Sequence, residues 1–256
     1  MLISIIVTVK NEENSISHLL NSLLVQEKPF EIIIVDANSD DGTQGTVKKY
    51  SKKHPEVKLF IKEGSRGEGR NFGVKKAQGE IIAFTDGGCT ADKNWLSELR
   101  KKIIDGYDIV AGKTIDTGTF TEIKRVELEI DGYDITWPSC NLAYRKQIFE
   151  KIGGFDEQFI TAEDVDLNLM AVTAGAKLAH SEKAIIYRNS AQTIKEYMKQ
   201  SFWYGFGRKQ LTLKHGKLWK SYSPQQMFQT QLTIQGLTRL FFGLLGYLVC
   251  KMNNGE

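Results

Sequence analysis

Three aspartates, Asp36, Asp86 and Asp164, stand where this chain has the means to do chemistry. Asp86 ends the stretch Glu80-Ile81-Ile82-Ala83-Phe84-Thr85-Asp86-Gly87-Gly88-Cys89. Its unbroken apolar run is the pattern of a strand buried on both faces of a parallel sheet. Ligands of open α/β sheets sit beyond the carboxyl ends of the strands, and the two glycines let a ligand come close to the backbone. Asp36 closes a second buried run, Phe30 to Val35. Asp164 follows Glu163 at the head of a helical stretch, and its spacing from Thr161 equally suits a capping box. The basic, glycine-rich Gly64-Ser65-Arg66-Gly67-Glu68-Gly69-Arg70-Asn71 runs into a helix. There a cation and backbone N–H groups suit phosphate, with Arg70 and Asn71 opening the helix; a solvated turn is the plainer alternative.

The elements that must position these residues alternate. Ile3 to Val9 reads as a strand, and Ile16, Leu19, Leu20, Leu23 and Leu24 share one helical face after caps at Asn11 or Asn14. Strand 30–35 is followed by a polar loop, a helix to about His54, a strand over Val57 to Ile61, a helix ending near Gly79, and the central strand. Asp92 is placed to cap a helix carrying Trp95, Leu96, Leu99 and Ile103. Strand and helix in alternation mean parallel β-structure with crossover helices, so the first hundred residues form a nucleotide-binding type of α/β unit. The second half is less regular: strands at Asp108 to Ala111, Cys140 to Tyr144 and Ala184 to Tyr187, and helices at Phe120 to Ile130, Lys146 to Ile152 and Glu163 to Thr173.

The totals narrow the class. The chain has 256 residues and a formal charge of +3, too small to imply a nucleic-acid surface. Three scattered cysteines, Cys89, Cys140 and Cys250, build neither a disulfide framework nor a metal pair and point to a reducing, cytoplasmic compartment. The N-terminus lacks the basic region of a signal peptide and is expected to be the first strand.

Val7-Thr8-Val9-Lys10-Asn11-Glu12, Ile34-Val35-Asp36-Ala37-Asn38-Ser39-Asp40-Asp41-Gly42-Thr43, Gly67-Glu68-Gly69-Arg70-Asn71, Phe84-Thr85-Asp86, Asn141-Leu142-Ala143-Tyr144-Arg145, Gly153-Gly154-Phe155-Asp156-Glu157 and Glu163-Asp164-Val165-Asp166-Leu167 follow in an order and spacing that resemble the family 2 glycosyltransferases. The resemblance implies an α/β, GT-A type Rossmann-like fold with a central, mostly parallel sheet over residues 1–190. Residues 1–112 form its nucleotide-binding half and 113–190 its acceptor half, followed by a helical tail over 191–256. It implies an inverting hexosyltransferase that moves one sugar from a UDP- or GDP-linked donor to a lipid-linked or glycan acceptor, in polysaccharide, glycolipid or protein glycan assembly.

Residue by residue, Asp36 matches the acid that recognises the base, and a carboxylate can accept the imide hydrogen of uracil or two hydrogens of guanine. The donor site would also draw on Val9, Asn11, Glu12, Arg66, Arg70, Asn71, Thr85, Asp86 and Gly87. Asp86 matches the first acid of an Asp-x-Asp pattern that holds Mg²⁺ or Mn²⁺ against the diphosphate. Gly88 replaces the second acid, so the cation is held by Asp86, diphosphate and water, or Arg66 or Arg70 neutralises the leaving group instead. Asp164 matches the base that deprotonates the acceptor; capping, or Glu163 as base, are the alternatives. Trp137, Asn141 and Arg208 would border the acceptor, with Trp137 offering a stacking face or serving only as core. A catalytically weak nucleotide-sugar binding protein is the rival, motivated by Gly88.

The tail differs in character. Lys195 to Lys217 mixes aromatic and basic residues, and Leu240 to Cys250 is apolar but well short of the ~20 residues of a bilayer span. It is expected either to lie in the inner face of the cell membrane as a peripheral anchor, or to dock on the core or on a second subunit in a homo-oligomer.

Overall fold

The computed structural model describes residues 1–119, 127–216, 218 and 233–253. Its first half keeps the strand–helix alternation: β1 (Ile3–Val9), α1 (Ile16–Leu24), β2 (Phe30–Asp36), α2 (Thr43–Lys53), β3 (Val57–Ile61), α3 (Arg66–Lys76), β4 (Ile81–Asp86), β5 (Cys89–Ala91) and α4 (Trp95–Ile104). Then come β6 (Ile109–Asp116), β7 (Glu129–Ile130), β8 (Tyr133–Asp134), β9 (Leu142–Arg145), α5 (Lys146–Lys151), α6 (Glu163–Thr173), β10 (Leu178–Arg188), α7 (Ile194–His215) and α8 (Ile234–Asn253). One eight-stranded sheet runs β3-β2-β1-β4-β9-β6-β10-β5. Pairs β3–β2, β2–β1, β1–β4 and β6–β10 are parallel, whereas β9 and β5 run antiparallel to their neighbours.

The register decides where the acids lie. Val9 sits opposite Asp36 and Thr8 opposite Asp86, so β2 and β4 release their aspartates on either side of the end of β1. β9 enters the sheet antiparallel, with Leu142 opposite Phe84, so the residues just before it sit at the same rim. The period-two alternation of β1 splits the core between two faces. Ile3, Ile5 and Val7 pack with Leu19, Leu23, Trp95 and Leu99 of α1 and α4. Ile6 packs with Phe84, Tyr144, Phe149, Phe155 and Leu167 on the face that carries α6.

Several local expectations are corrected. Ser15, not Asn11 or Asn14, precedes α1, because Asn11 is turned into the left-handed region at φ 56°. The glycine-rich basic stretch is not a loop: α3 begins at Arg66, because Ser65 and Glu68 close a reciprocal capping box. Arg70 and Asn71 therefore lie beyond the first turn. Asn94, not Asp92, precedes α4; Asp92 accepts the Asn94 N–H instead. Of the helix expected over 120–130, residues 120–126 fall outside the described residues, while Glu129–Ile130 pairs with β8 as a hairpin strand. Cys140 and Asn141 form a 3-10 turn before β9.

α7 and α8 pack as a hairpin whose backbones nearly touch. A Cβ on Gly246 would lie 1.9 Å from the carbonyl oxygen of Phe202, so only glycine fits there. α7 also reaches the body: Lys214 binds Asp156 (2.7 Å) and Asp166 (2.9 Å), and His215 meets the other oxygen of buried Asp166 at 2.5 Å. The outer row of α8, Leu237, Phe241, Leu244, Leu248 and Met252, is exposed. Among the described residues no helix is long and apolar enough to cross a membrane. Gly246→Leu is expected to cost about 1–3 kcal/mol by overpacking; limited proteolysis should then cut α8 several times faster while the sheet stays protected.

Candidate functional site

Arg70 joins the two halves of the site. Only 2% exposed, it donates from Nη1 to Glu163 Oε1 (2.7 Å) and from Nη2 to Asp86 Oδ1 (2.9 Å). Its guanidinium also lies 5.3 Å from the centroid of Phe155. Burial works against the charged guanidinium, but the two carboxylates outweigh it and hold the group firmly protonated. Burial likewise pushes the Asp86 carboxyl up, yet Arg70 and then Arg66 pull it below the ordinary carboxylate range. Asp86 keeps 35% of its side chain exposed, so one carboxylate edge is anchored while the residue remains reachable.

Glu163 and Asp164 are presented by a bend. Ala162, just before α6, adopts φ 63°, uncommon for a residue other than glycine. The alternative, a capping box with Thr161, does not form: Asp164 Oδ2 accepts the backbone N–H of Ser139 (3.0 Å) and Oδ1 that of Val165 (2.9 Å). Burial, and next the neighbouring Glu163, push the Asp164 carboxyl up to about 6, against the opposing pull of the Ser139 N–H and Arg70. The pair is thus differentiated: Glu163 is buried against a guanidinium, and Asp164 is poised to exchange a proton near neutrality.

Asp36 closes the other side of the rim. It is fully buried; Oδ1 accepts from the Ser39 N–H (2.6 Å) and Gln44 Nε2 (3.2 Å), while Oδ2 has no hydrogen-bond partner. A buried, unsatisfied carboxylate oxygen is costly unless a ligand supplies the missing donor. Asn11 ties the loops together: its N–H donates to Ser39 Oγ (2.9 Å) and its side-chain oxygen accepts from the Asp40 N–H (3.2 Å). Val9 and Thr85 are buried beside the strand ends, and Arg66 is exposed at the start of α3, close enough to act on Asp86.

Other expected site residues have structural positions. Asn71 clamps the Gly-Gly-Phe-Asp-Glu segment, donating to the Phe155 carbonyl (2.8 Å) and Glu157 (3.0 Å) and accepting the Phe155 N–H (2.9 Å). It therefore does not open a helix toward phosphate. Asn141 is completely buried: it donates to the carbonyls of Lys113 and Ala184 (3.0 Å each) and accepts from Trp95 Nε1 (2.8 Å), so it does not border an acceptor. Trp137 is half-buried and stacks on His180 at 4.2 Å, and Arg208 is half-buried on α7. Ser139 and Phe155, which orient Asp164 and Arg70, carry no signal of such a role in residue type or spacing. A surface cavity of about 530 Å³ lined by Lys151, Leu169, Thr173 and His215 lies along the later turns of α6, away from Asp164. Among the described residues no group of three or more His, Cys, Asp or Glu side chains could hold a metal. Asp86 nevertheless offers the hard oxygen that Mg²⁺ or Mn²⁺ prefers.

The profile described as Glycosyl transferase family 2 matches residues 4–161, and that of Glycosyl transferase family group 2 matches 132–252. Glycosyltransferase AglE of Haloferax volcanii is 29% identical over 82% of this chain and 73% of its own length. Probable glycosyltransferase YdaM of Bacillus subtilis is 26% identical over 83% of this chain, which spans only 56% of that protein. Mannosyltransferase PcManGT from Pyrobaculum calidifontis, solved with GDP-Man and Mn²⁺, superposes with a TM-score of 0.69 at 17% identity, over 99% of this chain and 76% of that one. S. aureus TarS 1–349, solved with UDP-GlcNAc, gives 0.63 at 20% identity, over 96% and 82%. At these identities the structural likeness establishes the fold, GT-A, and no more.

Arg70→Met should cost about 3–5 kcal/mol in urea unfolding by stranding the buried Glu163 carboxylate and unpairing the partly exposed Asp86. Arg70→Lys should recover little, since an ammonium lacks the planar fork that spans both. Asp164 binds its proton more tightly folded (about 6) than at its ordinary 3.8. Its protonated form therefore favours the fold, and that contribution is lost as pH rises from about 4 through about 6. Asp164→Asn should flatten this part of the stability–pH curve, measured by thermal unfolding of both proteins across pH 4–7.

Proposed function

This chain belongs to glycosyl transferase family 2, and from that premise we propose that it moves a single hexose from a nucleotide-diphosphate sugar to an acceptor hydroxyl or lipid phosphate, with inversion at the anomeric carbon. The observation that carries this reading is the Arg70 bridge. It ties Asp86, at the expected diphosphate end, to Glu163, next to Asp164, a carboxyl whose affinity for protons is raised to near neutrality.

In this reading Asp36 receives the base, its unpartnered oxygen accepting a ring or exocyclic N–H. The UDP and GDP complexes of the structural neighbours leave both bases open for this chain. Asp86 faces the diphosphate, and Arg66 offsets its charge. A divalent cation held by Asp86 and the diphosphate would neutralise the leaving group. Asp164 Oδ takes the acceptor's proton as the acceptor oxygen bonds to the anomeric carbon. The bond from that carbon to the phosphate oxygen breaks on the opposite face, and its electron pair leaves with the nucleoside diphosphate. Glu163, committed to Arg70, positions the pair. Trp137 and Arg208 line the acceptor side.

The tail is placed on an anionic membrane surface. Apart from buried Lys209 and from Lys214, which is bound to the body, α7 and α8 together carry Lys195, Lys199, Arg208, Arg239 and Lys251 against the single acid Glu196, and α8 exposes its apolar row, Phe241 at 64%. Such a pairing of apolar and basic residues suits an interfacial helix, which would bring lipid-linked acceptors to the site for glycan assembly. Gly88 favours the second reading, a nucleotide-sugar binding protein with little turnover.

Release of nucleoside diphosphate from a panel of UDP- and GDP-sugars, with Mn²⁺ or a chelator, separates the two readings: turnover with any donor excludes the binding protein. Asp164→Asn should lower turnover by about 10²–10⁴-fold while nucleotide affinity holds. Wild-type activity should fall below pH of about 6, where Asp164 becomes protonated. Normal turnover by Asp164→Asn would end the base assignment. Flotation with vesicles rich in anionic lipid should capture the wild type and lose Phe241→Glu/Leu248→Glu; unchanged flotation would remove the membrane role.

A further inference from the structure

Resting on the donor reading above, we propose that Glu12 supplies the second protein carboxylate for a divalent cation at the diphosphate, in place of the acid absent at Gly88. The placement comes from the register. β1 and β4 are parallel neighbours with Thr8 opposite Asp86, so the chain leaving β1 starts beside the chain leaving β4. The contact is close. A Cβ on Gly87 would lie 2.8 Å from Glu12 Cγ and 2.9 Å from Val9 Cγ1, so position 87 must lack a side chain for the Glu12 stem to lie against the end of β4.

Position 88 is the opposite case. A Cβ built there meets a single heavy atom within 4 Å, Glu12 Oε2, at 3.9 Å. Gly88 is not among the residues with left-handed backbone, so an L-residue could stand there without strain. The space an aspartate would occupy is open, and the group that faces it is another carboxylate.

That carboxylate is held in place. The Glu12 N–H donates to Thr43 Oγ1 (2.8 Å), and the Ser15 hydroxyl donates to Glu12 Oε2. Arg70 fixes Asp86 through Oδ1 and leaves its other oxygen for a ligand. Both acids are partly exposed, and each is oriented by a second residue, as outer-shell partners orient ligands at metal sites. Two carboxylates and two phosphate oxygens make a hard, anionic donor set of the kind Mg²⁺ and Mn²⁺ take. Neither acid needs to be two residues from the other along the chain, because the pairing of β1 with β4 brings the ends of both strands together.

The test measures metal binding by the full chain, independently of turnover. Free Mn²⁺ is followed by electron paramagnetic resonance with saturating UDP or GDP, and nucleotide binding without metal is measured by calorimetry. Variants are Glu12→Gln, Gly88→Asp and the two combined, with Asp86→Asn as control. Glu12→Gln should weaken Mn²⁺ binding at saturating nucleotide by about tenfold or more, a larger factor than its effect on metal-free nucleotide affinity. Gly88→Asp in the same chain should restore most of the loss. Wild-type Mn²⁺ affinity in Glu12→Gln would overturn the proposal. So would a double variant as weak as Glu12→Gln, since Glu12 would then merely fasten Ser15, which an acid at 88 cannot replace. Nucleotide binding by the wild type with no added Mn²⁺ uptake would sink the Glu12 assignment and spare the donor reading. Failure to bind either nucleotide would sink both.

Discussion

A single buried guanidinium holds this molecule's two halves in register. Arg70 comes from α3, the helix between β3 and β4, while its partners come from the end of β4 and the start of α6, 16 and 93 residues away in the chain. Burying a lone charge costs several kcal/mol, and the cost is offset only where paired carboxylates satisfy it. Arg70, Asp86 and Glu163 must therefore stay together. The geometry of Asp164 follows, because Glu163 is its immediate neighbour and its main electrostatic partner.

That constraint divides labour between two adjacent acids. Glu163 is spent on structure. Asp164 is left with two backbone N–H groups, a like-charged neighbour and a largely desolvated setting. Desolvation and like charge both disfavour its ionised form, which brings its proton affinity to where a general base is useful. The left-handed Ala162 that aims the pair costs conformational energy at the same point. Asp36, across the rim, is strained electrostatically instead: one of its buried oxygens is unsatisfied. The rim thus stores unfavourable contacts at both ends of the space between them, as sites built for a ligand commonly do.

The C-terminal hairpin answers to a different constraint. Glycines on α7 and α8 let the helices approach to backbone contact, which a Cβ on either inner face would block. Lys214 and His215 then fasten it to Asp166, two residues beyond Asp164 on α6. The exposed apolar row of α8 is thereby connected, through α7, to the helix that carries the acid pair.

Much of this was legible in the chain itself. Unbroken β-branched runs marked β1 and β2, and the apolar spacing after Ser15 marked α1; acids closing β2 and β4 marked the rim, because period and punctuation are local properties. Asn71 and Asn141 read as site residues, yet they are locks: whether an asparagine binds a ligand or a carbonyl depends on what the fold brings to it. The same holds for Ser65, whose capping box turned an apparent loop into the first turn of α3. The alternation of strand and helix over the first hundred residues and the acids closing β2 and β4 belong to the sequence, since apolar periodicity determines which segments are buried and where each stops. Which carboxylate stays ionised, which can take a proton, and which lies over Gly88 were decided by tertiary structure alone, because each depends on burial and on neighbours that are distant along the chain.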